Sequence, residues 1–323
     1  MMKQQTPAAG TGPRMWDEER YHSVTYDLKH TYNDRVWKLP VHAGMTCPNR
    51  DGSAGYGGCT FCSEGGSGDF ALSPRMPVME QLDAQKELLK KAGPDSLYIA
   101  YFQAFTNTYA PAEYLRSLFT PVIEPPDICI LSVATRPDAL PDDVIEVLAS
   151  LNQIKPVWVE LGLQTIHEDT AKWFRRGYAL PCFETAVQKL RRAGLHVIVH
   201  TILGFPQENP EQVLDTIRYL NRQDIQGIKL QLLHILKNTE LAVQYRENPF
   251  PLLTRDAYID LVIRCLEVLS PETAVHRVTG DAPRSLLIEP QWSLDKHGIL
   301  NELNHRMRVQ DTWQGKRYEN QED

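Results

Sequence analysis

The sequence predicts an α/β fold, an incomplete (β/α)6 TIM-like barrel with a short C-terminal extension. Short apolar runs typical of buried strands alternate six times with amphipathic segments typical of helices. This alternation favours a parallel sheet with right-handed crossovers, and six units instead of eight indicate a barrel that is not closed. The 323-residue length also matches one barrel with extensions. A doubly wound open sheet shares the alternation and stays open as the alternative.

The chain begins with two segments outside this alternation. Residues 1–20 are predicted to form a mobile tail, because the first 14 residues have no apolar periodicity. Residues 21–32 mix aromatic and histidine side chains, and we expect them to pack as a leader helix or cap. The core barrel is predicted over residues 21–270, and residues 271–323 are expected to pack on it as the extension.

Each of the six units is a strand followed by one or two helices. The first three units have predicted strands at 36–41, 97–102 and 128–133, and helices at 78–91, 111–119 and 142–151. Pro111 suits the first turn of its helix, and Asp142 places negative charge at a helix N-terminus. The last three units have predicted strands at 157–163, 197–203 and 228–235, and helices at 167–174, 183–193, 210–220 and 256–269. Gly194 is predicted to end the helix that precedes the fifth strand.

Composition and charge argue against several classes of protein. The chain has 42% hydrophobic and 23% charged residues, which is typical of a globular protein. A net charge of −7 gives no overall electrostatic footprint for nucleic acid. No apolar run reaches the roughly 18 residues of a membrane span, and the N-terminus lacks the pattern of a secretory signal. Cys129, Cys182 and Cys265 are scattered, as expected in a reducing compartment, so we expect a cytoplasmic location.

The other three cysteines lie together in a glycine-rich loop that follows the first predicted strand. Cys47, Cys59 and Cys62 have the spacing C-x11-C-x2-C. Thiolates bind soft metals, and glycines let a loop fold closely around an inorganic group. A structural zinc site normally has four protein ligands, whereas three cysteines on a four-iron cluster leave one iron open. A zinc-stabilised binding protein, with His42 or a partner as the fourth ligand, and an iron–sulfur electron carrier remain alternatives.

The ends of the other predicted strands are also polar or glycine-rich. In (β/α) barrels the active site lies at the C-terminal ends of the strands, so these residues are expected to meet the cysteine loop. Loops are polar in every protein, and each residue taken singly has an ordinary structural explanation. The candidate segments follow the second to sixth strands and contain Gln103 and Thr106, Arg136, Glu160 and Gln164, His200 and Gly204, and Lys229, Gln231 and His234.

The cysteine loop resembles that of the radical S-adenosylmethionine (SAM) enzymes, in the subgroup similar to the elongator catalytic subunit. The phrases Thr-Cys-Pro-Asn-Arg-Asp-Gly (46–52) and Gly-Gly-Cys-Thr-Phe-Cys (57–62) are similar to those of the bacterial YtqA/YhcC (MnmL-type) family. The resemblance extends over most of the chain, including residues 276–283 and 290–294. It implies an incomplete barrel, a [4Fe-4S] cluster on the three cysteines, and S-adenosyl-L-methionine on the open iron.

The same resemblance implies a set of cofactor-binding residues at the strand ends. Phe61 has the position whose backbone lies against the adenine, and Gln103 to Thr106 the position that approaches the methionyl amino group. Arg136 belongs to a Thr-Arg-Pro-Asp phrase, and Glu160 and Gln164 to a Glu-x-Gly-x-Gln phrase. Arg176 matches the residue that holds the SAM carboxylate. Gly204 matches the fifth-strand motif, from which Gln207 departs because a glycine is usual there.

The implied function is reductive cleavage of SAM and abstraction of hydrogen from a substrate. For this family the implied substrate is the modified wobble uridine of tRNA, whose carboxymethylaminomethyl group is converted towards aminomethyl. A flavodoxin-like or ferredoxin-like protein is the implied electron donor. The Arg pairs at 175–176 and 191–192 and the basic residues at 305–308 are candidate phosphate contacts, although such charge runs more often form a solvated face.

Overall fold

The computed structural model describes residues 13–66, 71–89, 92–93 and 95–319. Its strands are β1 (Val36–Val41), β2 (Leu97–Phe102), β3 (Ile128–Thr135), β4 (Val157–Gln164), β5 (His196–Leu203), β6 (Gly227–Leu232), β7 (Ile235–Leu236), β8 (Ala274–Arg277) and β9 (Leu287–Glu289). Its helices are α1 (Val24–Tyr32), α2 (Val78–Leu88), α3 (Ala112–Ile123), α4 (Asp142–Leu151), α5 (Glu168–Trp173), α6 (Leu180–Arg192), α7 (Pro210–Asn221), α8 (Glu240–Glu247), α9 (Arg255–Val268) and α10 (Lys296–Val309). Two short 3-10 helices span Pro137–Ala139 and Gln291–Leu294.

Seven strands form one parallel sheet in the order β1-β2-β3-β4-β5-β6-β8. The order follows the chain without reversal, whereas a doubly wound sheet reverses its direction at a switch point. The sheet therefore curls as an incomplete barrel, and the predicted fold class is confirmed. A separate antiparallel pair, β7 with β9, lies beside it in the described part of the chain.

The predicted units agree with the structure, and most differences lie at their margins, although helix α8 was not predicted. All six predicted strands are present, but the predicted strand 228–235 is divided into β6 and β7. The seventh strand, β8, comes from the segment predicted as the extension, and its four residues give too short a pattern to recognise. The predicted helix 78–91 ends at Leu88, and residues 90 and 91 lie outside the described residues, as do residues 1–12 of the predicted tail. Trp16, within that tail, is buried.

The two faces of the sheet differ in what they contact. Alternate residues such as Phe102, Leu131 and Val199 point outward and pack with the surrounding helices in the main hydrophobic core. The intervening residues point into the barrel. The lowest of these inward residues form what we call the apolar layer, Ile99, Ile130, Trp158 and Ile198, which packs with Val24, Leu28 and Tyr32 of α1. The predicted leader helix therefore closes the N-terminal end of the barrel.

Two residues further along the strands, the barrel interior becomes polar. Because side chains alternate along a strand, these residues share the inward face with the apolar layer. The register pairs Tyr101 with Ser132, His200 with Lys229, and Lys229 with Arg277 across adjacent strands. We call this set the polar layer, which consists of Lys38, Tyr101, Ser132, Glu160, His200, Lys229 and Arg277. The next inward residues include Ala134 and Gly162, whose small size leaves room for a cavity.

Candidate active site

The three clustered cysteines lie in the loop after β1 and line a single cavity at the C-terminal end of the barrel. All three are half-buried free thiols. Cys47 begins a turn in which the backbone N–H of Arg50 donates to the Cys47 carbonyl at 2.8 Å. In a second turn, the backbone N–H of Cys62 donates to the Cys59 carbonyl at 3.0 Å. Gly57 and Gly58 have φ values of +77° and +85°, which non-glycine residues rarely adopt. The glycines thus allow the chain to return the second and third cysteines to the first.

Asn49 organises this loop, and the sequence analysis did not identify it. Its side chain is 2% exposed, and its Nδ2 donates to the Arg175 carbonyl and lies 3.5 Å from the Cys59 Sγ. A Cβ at Gly55 or Gly177 would approach the Asn49 Oδ1 to less than 3.0 Å. Both glycines are therefore required by close packing on Asn49. The only sign of this role in the sequence is the position of Asn49, two residues after Cys47.

One of the three thiols has the lowered pKa expected of a ligand to a soft metal centre. A hydrogen bond with Cys62 and the positive charge of Arg136 and Arg175 lower the pKa of Cys59 to about 7, despite burial, whereas the same hydrogen bond and burial raise the pKa of Cys62 well above its usual value. Among the described residues, no three His, Cys, Asp or Glu side chains are gathered closely enough to hold one metal ion. A four-iron cluster binds its three cysteines through different iron atoms, so this donor set suits a cluster better than a single zinc ion.

An aromatic cluster covers the side of the loop that carries the second and third cysteines. The ring of Phe61 lies 5.3 Å from that of Phe174 and 6.4 Å from that of Phe205, and the last two rings are stacked. Such ring pairs contribute beyond their buried area. The cluster fixes the backbone of Phe61 beside the cavity, where the adenine contact is predicted.

The structure brings most predicted cofactor-binding residues to the same cavity. Its lining includes Phe61, Gln103, Thr106, Arg136, Glu160, Gln164 and Arg176 together with the three cysteines. Gly204 is not among the described lining residues. It has a φ of +97°, and a Cβ there would lie 3.2 Å from Leu253, so close packing explains this glycine. The individual roles of these residues stay predictions.

Two strand ends carry backbone strain and unpaired polar atoms. Ala104, Phe105 and Gln164 have φ values of 70°, 58° and 71° without being glycine, and such strain clusters at binding sites. The buried Thr106 Oγ1 and Gln164 Oε1 have no hydrogen-bond partner among the described residues. Buried polar atoms are normally paired, so these two suit a polar ligand in the cavity.

The two predicted arginines make extensive contacts within the protein. Arg136 holds Asp138 through two hydrogen bonds of 2.9 and 2.7 Å and donates to the Arg176 carbonyl. Arg176 is 2% exposed, and its guanidinium donates to Glu168 and to the carbonyls of Thr165 and Tyr178. These contacts hold the strand ends together. Contact with a SAM carboxylate through Arg176 remains a prediction.

Glu160 lies in the polar layer and is fully buried. Its carboxylate accepts hydrogen bonds from Ser132 Oγ at 2.8 Å, from His200 Nε2 at 2.7 Å and from Lys229 Nζ. Lys38 Nζ lies 3.6 Å from the same carboxylate. These partners occupy both oxygens of Glu160. The carboxylate therefore holds the cations of the polar layer in place. The sequence analysis predicted cofactor binding for Glu160 and did not suggest this role.

The ionisation of the polar layer follows from burial and from crowding of like charges. Burial raises the pKa of Glu160, but Lys229, Lys38 and His200 reverse that effect and lower it well below its usual value. Burial together with Lys38 and Arg277 lowers the pKa of Lys229 to about 7, even though Glu160 opposes the shift. Burial and Lys229 lower the pKa of His200 to about 4. The layer thus places a lysine whose pKa is lowered towards neutrality beside a carboxylate whose pKa is held below its usual value.

Four arginines of the basic clusters predicted as phosphate contacts are paired with acidic side chains. Arg175 binds Glu240 at 2.5 Å, and Arg191 binds Asp224 at 2.9 Å. Arg306 contacts Asp256, Asp260 and Glu302. Arg176, already described, is buried. Only rearrangement would release these four arginines for phosphates, whereas Arg192 and Arg308 of the same clusters are exposed.

The comparisons with known proteins agree with this geometry. The family model "Radical SAM superfamily" matches residues 47–220, and "Radical_SAM C-terminal domain" matches residues 225–309. YtqA of Bacillus subtilis (strain 168) is 43% identical over 306 residues, which cover 95% of each chain. YhcC of Escherichia coli (strain K12) is 37% identical over 86% of this chain and 89% of its own.

A solved structure shows the same fold at low sequence identity. The archaeal Elp3 of Methanocaldococcus infernus matches with a TM-score of 0.65 and 17% identity over 86% of this chain and 64% of its own. More distantly, elongator complex protein 3 of Saccharomyces cerevisiae is 24% identical over 77% of this chain and 52% of its own. In the described residues no helix is long and apolar enough to cross a membrane. The chain therefore belongs to the radical SAM superfamily, in the Elp3-like subgroup that includes YtqA and YhcC.

Proposed function

We propose that this radical SAM enzyme abstracts a hydrogen atom from the carboxymethyl group of the modified wobble uridine of tRNA, in the step from carboxymethylaminomethyl to aminomethyl. Loss of a second electron, with SAM as the overall two-electron oxidant, would give an imine, and its hydrolysis by water would release the carboxymethyl carbons as glyoxylate and leave the aminomethyl group. One observation carries the proposal, namely a single cavity with the cysteine loop at its outer end and the charged polar layer at its floor. A zinc-stabilised binding protein or a simple electron carrier gives no reason for such a floor. Family membership likewise favours an enzyme.

The cysteine loop would hold the cofactors that the family implies. Cys47, Cys59 and Cys62 would bind a [4Fe-4S] cluster, with Asn49 orienting the second cysteine. When bound, the reduced cluster and SAM supply a 5′-deoxyadenosyl radical as the hydrogen-abstracting group. The unpaired Thr106 Oγ1 and Gln164 Oε1 would accept hydrogen bonds from SAM, and Phe61 would cover its adenine. A flavodoxin-like or ferredoxin-like protein would supply the electron.

The choice of tRNA rests on the family resemblance and on the chemistry of the cavity floor. The chain matches YtqA over nearly its full length, and its cysteine loop carries the phrases on which the resemblance was based. The carboxymethylaminomethyl group carries a carboxylate and an amine, which suit a floor that contains both lysines and a glutamate. The paired surface arginines imply that contacts to the tRNA phosphates form after rearrangement or through other groups.

The test is anaerobic reconstitution followed by reaction with SAM and dithionite. The substrate is tRNA isolated from cells that lack the corresponding gene, so that its wobble uridine retains the carboxymethylaminomethyl group. We expect 5′-deoxyadenosine to form and the aminomethyl nucleoside to appear in the digested tRNA. Formation of 5′-deoxyadenosine with unchanged tRNA would refute the substrate while retaining the radical chemistry. A SAM-indifferent cluster would refute both.

A further inference from the structure

We propose that the polar layer is a carboxylate-binding site, in which Lys229 and Arg277 hold an anionic group of the substrate at the floor of the cavity. The inference deepens the proposed function and rests on it for the identity of the substrate. Both side chains line the cavity. They are register partners on the adjacent strands β6 and β8.

The first argument is an imbalance of charge. The charged groups described around this floor are the cations Lys38, Lys229 and Arg277 and the anions Glu160 and Asp281, and a more exposed lysine, Lys296, contacts Asp281 from outside. When Lys229 is protonated, three positive charges thus face two negative ones in a partly buried space. Buried charges without partners are costly, so a surplus of cations is expected where an anion binds.

The histidines near the floor do not add to this surplus of positive charge. Burial lowers the pKa values of His200, His234 and His276, to about 4 for the first two, so all three are neutral at pH 7. Neighbouring cations lower them further. Burial also lowers the pKa of Lys229 to about 7, with Lys38 and Arg277 contributing by repulsion. A bound carboxylate would relieve this repulsion directly.

The second argument is the arrangement of the donors. Glu160 and Tyr101 Oη, the latter 3.3 Å from Lys229 Nζ, fix the ammonium group on one side. Asp281 lies 3.2 Å from the Arg277 guanidinium and fixes it from another side. Each cation is therefore oriented by one protein carboxylate while it still faces the cavity. Prepositioned donors of this kind bind a carboxylate without much loss of side-chain freedom.

The depth of the site favours a substrate group over the carboxylate of SAM. Glu160 and Gln164 on β4 pair with Ile198 and Thr201 on β5, which are three residues apart because of a bulge after Gly162, and three residues correspond to about 10 Å along a strand. The cysteines and the unpaired Thr106 and Gln164 atoms lie at the outer end, where SAM is expected. The polar layer lies below them. A substrate carboxylate is therefore the better match, and the experiment separates the two sources.

The experiment measures binding to the anaerobically reconstituted holoenzyme by calorimetry, without turnover. One pair of probes is N-benzylglycine and benzylamine, which differ by a carboxymethyl group and need no tRNA. A second pair is SAM and decarboxylated SAM. The variants are Lys229→Met and Arg277→Gln, and the control is Arg222→Gln, which removes an exposed arginine away from the cavity.

We expect wild type and the control to bind N-benzylglycine at least about tenfold more tightly than benzylamine, from the usual strength of charged hydrogen bonds. Both layer variants should lose this preference and keep the preference for SAM over decarboxylated SAM. If the wild-type protein shows no preference for N-benzylglycine over benzylamine, the proposed carboxylate site is wrong. If the layer variants lose the preference for SAM over decarboxylated SAM instead, the polar layer binds the carboxylate of the cofactor. If the protein prefers N-benzylglycine but does not convert the tRNA, the carboxylate site is retained and only the proposed tRNA substrate is wrong.

Discussion

The apolar layer and the polar layer lie two residues apart on the same strands and face the same interior, yet they differ in nearly every physical property. Ile99, Ile130 and Ile198 pack with α1 and remove apolar surface from water. Tyr101, Glu160 and Lys229 bury polar and charged groups, which costs desolvation free energy. The lower layer thus stabilises the barrel. The upper layer is retained at a cost to stability, and this is expected where a cavity needs fixed charges for binding.

The largest expected effect is on cluster content, when a cysteine of the loop and a cysteine near the apolar layer are each replaced by alanine. Cys59→Ala should abolish cluster binding, because Cys59 would supply one of only three protein ligands. Cys129→Ala, in the cluster that contains the apolar layer, should retain iron and sulfide at wild-type content. Iron and sulfide analysis of both reconstituted variants tests this. Equal loss of iron in the two variants would show that the ligand assignment is wrong.

The next largest effect is on the free energy of unfolding, and it compares removal of one member of the Glu160–Lys229 ion pair with replacement of both members by apolar residues. Glu160→Ala should lower the free energy of unfolding by about 3–5 kcal/mol, because it leaves Lys229 buried without its carboxylate. The double variant Glu160→Leu with Lys229→Met should recover most of that loss, since no unpaired charge remains. Urea unfolding of the apo proteins measures both. A double variant as unstable as the single one would mean that the layer stabilises the barrel.

A smaller effect is the pH dependence contributed by Lys229. Its pKa is about 7 in the folded protein and 10.5 in its ordinary state, so the unfolded chain binds more protons between these values. The contribution of Lys229 to the free energy of unfolding should therefore rise with pH from 7 to 9, by up to about 1.4 kcal/mol per pH unit. Lys229→Met should flatten this slope, which unfolding curves at pH 7, 8 and 9 would show. An unchanged slope would contradict the lowered pKa.

The smallest effect tests the apolar layer itself. Ile130→Val should lower the free energy of unfolding by about 0.5–1.5 kcal/mol, because it deletes one buried methylene group. The preference for N-benzylglycine over benzylamine should not change, since Ile130 does not line the cavity. Denaturant unfolding and calorimetry on one preparation measure both quantities. A change in ligand preference without a change in the free energy of unfolding would contradict the assignment of stability to the apolar layer and of binding to the polar layer.

Local sequence patterns were enough to predict the cysteine loop, the six strand–helix units and the family. Metal ligands such as Cys59 and Cys62 are close in sequence, and amphipathic periodicity is a property of short windows, so both can be recognised without a fold. The four-residue strand β8 was missed because so short a run carries little pattern. Asn49 was missed because its importance depends on packing against Gly177, more than 100 residues away.

Three members of the polar layer, Glu160, His200 and Lys229, were predicted as strand-end candidates, but their contacts with one another were decided only by the tertiary structure. Lys38 and Arg277 are separated by more than 200 residues, and each of the seven strands supplies one member of the layer. A single lysine or glutamate in a strand gives no sign of its partners, because the partners are chosen by the register between strands and by the curl of the sheet. The loop that would hold the cofactors is therefore encoded locally. The charged floor exists only once the barrel has brought distant strands together.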